Sequence, residues 1–436
     1  MSRTDAEGTA STARTARVRR TRVLMADGRE LFYFDDTEPF VSGEPRAGED
    51  TRDLPPASGG SRMRRDPLTG EQVPMASNRM DRTFLPSRAM CPLCPTVPGG
   101  PGTEIPAAGY DVVVFENRFP SLSTRDEEPD SLVDGDPTWP ERAAAGRTEV
   151  VCFTAEHDAS FASLTPSRAR TVVEAWADRT TELQALPHVR DVFCFENRGK
   201  EIGVTLAHPH GQVYAYPYVP PRTAQHTAQA AAHHARTGRD LLGDVLDAEV
   251  RSGRRVVARG EHWTAFVPAA ARWPVEVHLV PHRHVLDLAE LDDAERDELA
   301  HLYPDLLARL DRFFVGPDGE AIPLPYIAGW FAAPVGPERD GERAALPRLH
   351  LQVFSVLRAP GKLKFLAGSE SGQGAWVSDT TPERIADRIR ELPSAFPGAV
   401  VTTPVDEQPS EQPVPPSPEP VPSSDPSVPV AGEGTP

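Results

Sequence analysis

The stretch FENRGKEIGVTLAHPHGQVYAYPYVP, residues 195–220, decides how the rest of the chain is read. Two histidines flank a proline and are followed by glycine and glutamine, a combination that usually marks a turn. The flanks nevertheless read as strand, Gly203-Val204-Thr205-Leu206 before and Val213-Tyr214-Ala215-Tyr216 after. His208, His210 and Gln212 then fall at alternate positions and share one face of an extended chain. Three polar side chains on one strand face are costly to bury without partners, so they face either water or chemistry.

Outward from this stretch, strand-like runs recur at 111–119, 148–154, 191–197, 210–216, 264–268, 275–281 and 348–355. Helical periodicity covers 166–186, opened by Pro166, then 222–250, 289–314 with a kink expected at Pro304, and 382–392. The order strand, strand, long helix, strand occurs twice. His210-Gly211-Gln212 in the first copy corresponds to His350-Leu351-Gln352 in the second. The pattern predicts an α+β fold of two similar halves, 21–220 and 221–400, with a largely antiparallel sheet and packed helices. Only the first half keeps the doubled histidine, which assigns the chemistry to it. Residues 1–20 are expected to form a disordered arm. Residues 404–436 hold 11 prolines, six acids and no base, the composition of a disordered tail.

Composition excludes several classes. The formal net charge is −18, and only six of those charges lie in the tail, which argues against a nucleic-acid partner. No run of 18 apolar residues predicts a membrane span, and residues 1–20 lack the apolar stretch of a secretory signal, so a cytoplasmic protein without disulfides is expected. Cys152 and Cys194 sit in apolar strand-like runs and read as buried thiols. Cys91-Pro-Leu-Cys94 lies on a turn rich in proline and glycine, open to three readings: incidental thiols, a redox pair or half of a metal site. Pro95 disfavours the helix that a thioredoxin-type pair would open. A tetrahedral site needs two further ligands, and His157 closes the strand TEVVCFTAEH.

HPHGQ, preceded by FENRG and GVT and by upstream CPLC and TAEHDASFASL, resembles the galactose-1-phosphate uridylyltransferases of the histidine-triad superfamily. RRDPLTGEQVPMASNRMDR (64–82), VVVFENRFPSL (112–122), EHWTAFVPAAARWPVEVHLVPHRHV (261–285) and KLKFLAGSES (362–371) extend the resemblance, in the family order, over about residues 60–390. It implies ping-pong transfer of UMP from UDP-glucose to galactose 1-phosphate, giving UDP-galactose and glucose 1-phosphate, with His210 as the nucleophile. A neutral imidazole suits that role, and Gln212 can donate to a phosphoryl oxygen without activating water. The resemblance further makes Cys91, Cys94, His157 and His208 the ligands of one structural zinc. Asn117, Asn197, Gly203 and Thr205 match residues that hold uridine and ribose, while Gly199 and Lys200 read as a loop feature. Arg79 and Arg82 match arginines that reach phosphate from the neighbouring subunit of a homodimer, and Lys364 and Glu370 match hexose contacts. Some relatives carry a second, iron-type metal. Here the matching positions read His226, Phe331 after Gly329-Trp330, and His350-Leu351-Gln352, so that site is predicted absent. The alternative within enzymes is a related nucleotidyltransferase or phosphorylase that loads an adenine nucleotide.

Overall fold

Among the described residues the seven strand-like runs join four further strands in one antiparallel sheet of eleven, not two separate sheets. A computed structural model describes residues 18–46, 48–57, 61–76, 85–100, 102–125 and 130–397. Residues 1–17, the tail and both Arg79 and Arg82 lie outside the described residues. The strands of the large sheet are β1 (Arg19–Leu24), β2 (Glu30–Asp35), β3 (Val112–Glu116), β4 (Arg147–Cys152), β5 (Asp191–Arg198), β6 (His210–Tyr216), β7 (Val256–Arg259), β8 (Trp263–Phe266), β9 (Val275–Pro281), β10 (Tyr326–Phe331) and β11 (His350–Ser355). Their order across the sheet is β1-β2-β3-β4-β6-β5-β10-β11-β9-β8-β7. The α-helices are α1 (Pro166–Gln184), α2 (Pro221–Thr237), α3 (Leu241–Ser252), α4 (Asp293–Leu310) and α5 (Pro382–Arg390).

The sheet is a duplication about the seam between β5 and β10, where Glu196 pairs with Ala328 and Phe195 with Gly329. Outward from that seam run β6, β4, β3 and β2 on one side and β11, β9, β8 and β7 on the other. α1 lies between β4 and β5 in the chain, as α4 lies between β9 and β10, and the two pack against each other. The α+β class and the two related halves are therefore observed. The seam strand β10, YIAGWF, is the counterpart of VFCFENRG that sequence reading did not find.

Burial alternates along β6: Gly211, Val213 and Ala215 are buried, while His210, Gln212, Tyr214 and Tyr216 are only half-buried. The buried set joins the core that α1 and α4 cover, with Phe153, Phe161, Trp176, Tyr303 and Trp330. Removing these large side chains from water is the main favourable term in the fold. The other face of the sheet is left for function.

Several expectations need correction. Gly203 to Leu206 do not form a strand. Lys200–Ile202 make a 3₁₀ turn ended by Gly203, whose φ of +83° suits glycine, and pairing starts only at His210. His208 therefore precedes the strand. The single helix expected over 222–250 is broken, because Gly238 adopts φ +67° and Asp240 accepts hydrogen bonds from the Leu242 and Gly243 N–H groups to cap α3. β1 begins at Arg19, inside the stretch expected to be disordered. α4 continues through Pro304. Residues 62–65, 72–75, 131–132 and 140–143 form a separate four-stranded sheet. Among the described residues no helix is long and apolar enough to cross a membrane.

Candidate active site and metal centre

His210 heads β6, paired opposite Cys152 of β4. The next residue, Gly211, faces the core opposite Glu196. A Cβ there would meet the Phe195 carbonyl oxygen at 2.8 Å and Phe153 Cζ at 2.9 Å, so glycine is what lets the Phe153 ring pass under the strand. The glycine of HPHGQ thus has a packing reason, and His210 rides on a backbone held from below.

The His210 Nδ1–H donates to the His208 carbonyl at 2.8 Å. A carbonyl only accepts, so this bond fixes the tautomer and leaves the Nε2 lone pair free. Burial lowers the imidazole pKa, which keeps the ring neutral at neutral pH. Gln212 follows on the same face and Asn197 lies on that face of the neighbouring β5. Among the described residues neither side-chain amide bonds to a protein group. His210, Asn197, Gly199, Lys200, Val204 and Leu206 are among the residues lining a cavity of about 380 Å³. A neutral nucleophile with unsatisfied amide donors around it is equipped for attack on a phosphoryl group.

Two residues before His210, the chain serves a different purpose. The ligand atoms of Cys91, Cys94, His157 and His208 all lie within 4.8 Å of one another. Cys94 Sγ is 3.3 Å from His157 Nδ1 and 3.6 Å from His208 Nδ1. Tetrahedral bonds of roughly 2.3 Å to sulfur and 2.0 Å to nitrogen separate such atoms by about 3.5 Å. The His208 Nε2–H donates to the Thr154 carbonyl at 2.8 Å, which frees Nδ1 for a metal. Tyr110, which touches His208 Nε2 at 2.8 Å, donates its hydroxyl to the Leu93 carbonyl and so ties the cysteine loop to the site. Burial, and then the neighbouring Cys91, push the Cys94 thiol up to about 12, so a bound cation is what would hold the sulfurs as thiolates. The residues present fit a closed Cys₂His₂ metal centre. Among the described residues no other group gathers three such ligand atoms this closely.

The remaining sequence candidates are dispersed. Asn117 folds into a turn, its Oδ1 accepting from the Phe119 N–H at 2.9 Å, and it lines a different, smaller concavity. Gly203 and Thr205 sit on the loop before β6 without lining the His210 cavity; the Thr205 carbonyl accepts from the Leu85 N–H at 2.7 Å. Gly199 and Lys200, read as a loop feature, both line it. Lys364 is buried, donating to the Arg272 carbonyl at 3.1 Å and to the Val377 carbonyl, with Glu370 at 3.8 Å. Within this chain neither Lys364 nor Glu370 lines the His210 cavity. Sequence reading missed Glu196, a residue of that cavity's lining whose buried side chain turns to the core and accepts from the Tyr326 hydroxyl at 2.9 Å. The signal was present, since Glu196 alternates with Asn197 and so faces the core. It also missed His278, whose ring lies 5.9 Å from that of His350, while His226 lies 5.4 Å from His350 on the other side.

In the second half His350 repeats the His210 geometry, its Nδ1–H donating to the Arg348 carbonyl at 3.1 Å. There, however, Nε2 is occupied by the Gln352 amide at 3.0 Å. Arg348 stands where His208 stands in the first half, and pairs with Asp240 while donating to the Pro281 carbonyl at 3.1 Å. An ion pair does in one half the bracing that the ligand set does in the other.

A duplicated α+β sheet that presents a histidine with an unpartnered ring nitrogen beside a Cys₂His₂ ligand set fits the nucleotidyltransferase class. Family models for the galactose-1-phosphate uridyl transferase N-terminal and C-terminal domains match residues 57–220 and 224–397. The galactose-1-phosphate uridylyltransferase of Streptomyces lividans is 46% identical over 383 residues, covering 86% of this chain and 98% of the relative. That of Thermotoga maritima is 34% identical, covering 76% and 98%. A solved uridylyltransferase structure is 33% identical with a TM-score of 0.65, again covering 76% of this chain and 98% of the other. The chain belongs to the galactose-1-phosphate uridylyltransferase family.

Proposed function

We propose that this chain transfers UMP from UDP-glucose to galactose 1-phosphate through a uridylyl group carried on His210. The observation that carries the reading is the bond from His210 Nδ1–H to the His208 carbonyl, which leaves Nε2 unprotonated on a residue of the cavity wall. In the first step Nε2 bonds to the α-phosphorus of UDP-glucose as the bond to the bridging oxygen breaks, and glucose 1-phosphate leaves with that oxygen. In the second, a phosphate oxygen of galactose 1-phosphate attacks the same phosphorus, the P–N bond breaks, and UDP-galactose leaves. Gln212 steadies a phosphoryl oxygen and Asn197 the nucleoside, roles supported by their unpartnered amides on the nucleophile's face. Asn117, Gly203 and Thr205 are assigned to uridine and ribose on motif position.

Cys91, Cys94, His157 and His208 would hold one zinc, supported by the closed S₂N₂ donor set. When bound, it braces the segment that leads into β6. No iron-type centre is assigned to the second half, a reading supported by the internal bonds of His350 to Gln352 and of His278 to Glu276. Arg79 and Arg82 are assigned to phosphate in the site of the partner subunit of a cytoplasmic homodimer, and Lys364 and Glu370 to the hexose. Intact-mass and peptide mapping after mixing with UDP-glucose tests the core of this reading. A UMP adduct on His210, absent in His210→Ala, is expected. An adduct formed only with ADP-glucose or a dinucleoside polyphosphate moves the chain to adenine nucleotides, and no adduct with either overturns it.

A further inference from the structure

Three charged residues besides the histidines line the His210 cavity: Glu196 and Arg198, whose side chains turn away to the core face of β5, and Lys200. Two of them are satisfied inside the protein. Glu196 accepts from the Tyr326 hydroxyl, and Arg198 pairs with Asp311 at 2.5 Å while lying over the Tyr326 ring. Lys200 is exposed and, among the described residues, has no acidic partner. The chain thus presents one unpaired ammonium among the residues that line the His210 cavity, the neighbouring Glu201 carboxylate lying against Gly199 instead.

Its position is built. Gly199 adopts φ +101° and lies against Pro325, where a Cβ would meet the Pro325 Cβ at 2.7 Å. The Ile202 and Gly203 N–H groups close the turn onto the Gly199 and Lys200 carbonyls at 3.2 and 3.0 Å. Pro325 is itself fixed from the second half, its carbonyl accepting from Ser355, while the Leu324 N–H donates to Asp311 at 3.1 Å. Asp311, Pro325 and Tyr326 therefore clamp residues 196–199 across the seam and hold the turn that carries Lys200. A flexible ammonium on a rigid turn is suited to follow a phosphate whose charge shifts during transfer.

We infer that Lys200 is a phosphate-binding residue of this site, contacting the diphosphate oxygens of the nucleotide sugar, and that Tyr326 and Asp311 are the positioning residues that hold its turn. The inference rests on the uridylyltransferase reading of the cavity. Because an exposed lysine is replaced, Lys200→Met folds as the parent does. Calorimetric titration with UDP and with uridine is the test. Lys200→Met weakens UDP about tenfold and leaves uridine unchanged, as expected for one lost charge-assisted contact to phosphate. Lys200→Arg restores most of the loss. Tyr326→Phe raises the KM for UDP-glucose while zinc content and kcat stay at the parent values, although loss of the buried hydrogen bond to Glu196 lowers its unfolding midpoint. If the parent binds UDP and forms the His210 adduct but Lys200→Met binds UDP equally well, this inference alone falls. If the parent binds no UDP, the functional reading falls with it.

Discussion

Replacing Glu196 by glutamine should change how stability depends on pH, by an amount that can be worked out. Glu196 is 4% exposed, and burial, opposed by the Tyr326 hydrogen bond, raises its carboxyl from an ordinary 4.5 to about 7. A carboxyl raised on folding keeps its proton in the native state after the unfolded chain has lost it. The folded protein is therefore favoured below pH 4.5 and loses stability as pH rises from 4.5 through 7. A rise of roughly 2.5 units corresponds to about 3 kcal/mol, of which about 2.5 kcal/mol falls between pH 5 and pH 8. Glutamine has the same shape, still accepts from Tyr326 and does not titrate. Urea unfolding of both proteins at pH 5 and pH 8, followed by the fluorescence of the buried Trp176, Trp263 and Trp330, isolates the effect, since every other group is common to both. Glu196→Gln should gain about 2.5 kcal/mol relative to the parent between the two pH values. A stability difference that is the same at both, within about 0.5 kcal/mol, refutes the buried neutral carboxyl.

Two further outcomes follow from the site. Gln212→Ala should slow formation of the His210 adduct about a hundredfold, the usual cost of removing one donor to a developing phosphoryl charge, while UDP affinity changes far less. Stopped mixing with UDP-glucose alone reads this step, and an unchanged rate removes Gln212 from the chemistry. Purified protein should carry about one zinc per chain and no iron by elemental analysis, and Cys94→Ser should lose the zinc and unfold at lower urea. Retention of a full equivalent of zinc in that variant excludes Cys94 as a ligand.

Much of the first half was legible because its signals are local. Alternation along Val213-Tyr214-Ala215-Tyr216 states which residues share a face, and a histidine two positions from another needs no distant partner to be placed beside it. The two cysteines announce themselves by spacing, although only folding brings His157 and His208 to them. The same local logic failed at Gly203 to Leu206, where apolar composition suggested a strand but the positive φ of Gly203 ends a 3₁₀ turn instead. It failed also at 222–250, where one glycine and one capping aspartate divide a helix.

By itself the sequence determined the duplicated order of strands and helices and the face shared by His210 and Gln212, and its resemblance to the family named the candidate metal ligands. Tertiary structure alone decided that the halves form one sheet across β5 and β10, and that Gly211 is required by the Phe153 ring beneath it. It alone decided which charges in the cavity are already neutralised. The reason is range. Side-chain alternation is set by neighbours two residues away, whereas Tyr326 reaches Glu196 from 130 residues along the chain. No pattern within either segment states that the two will meet.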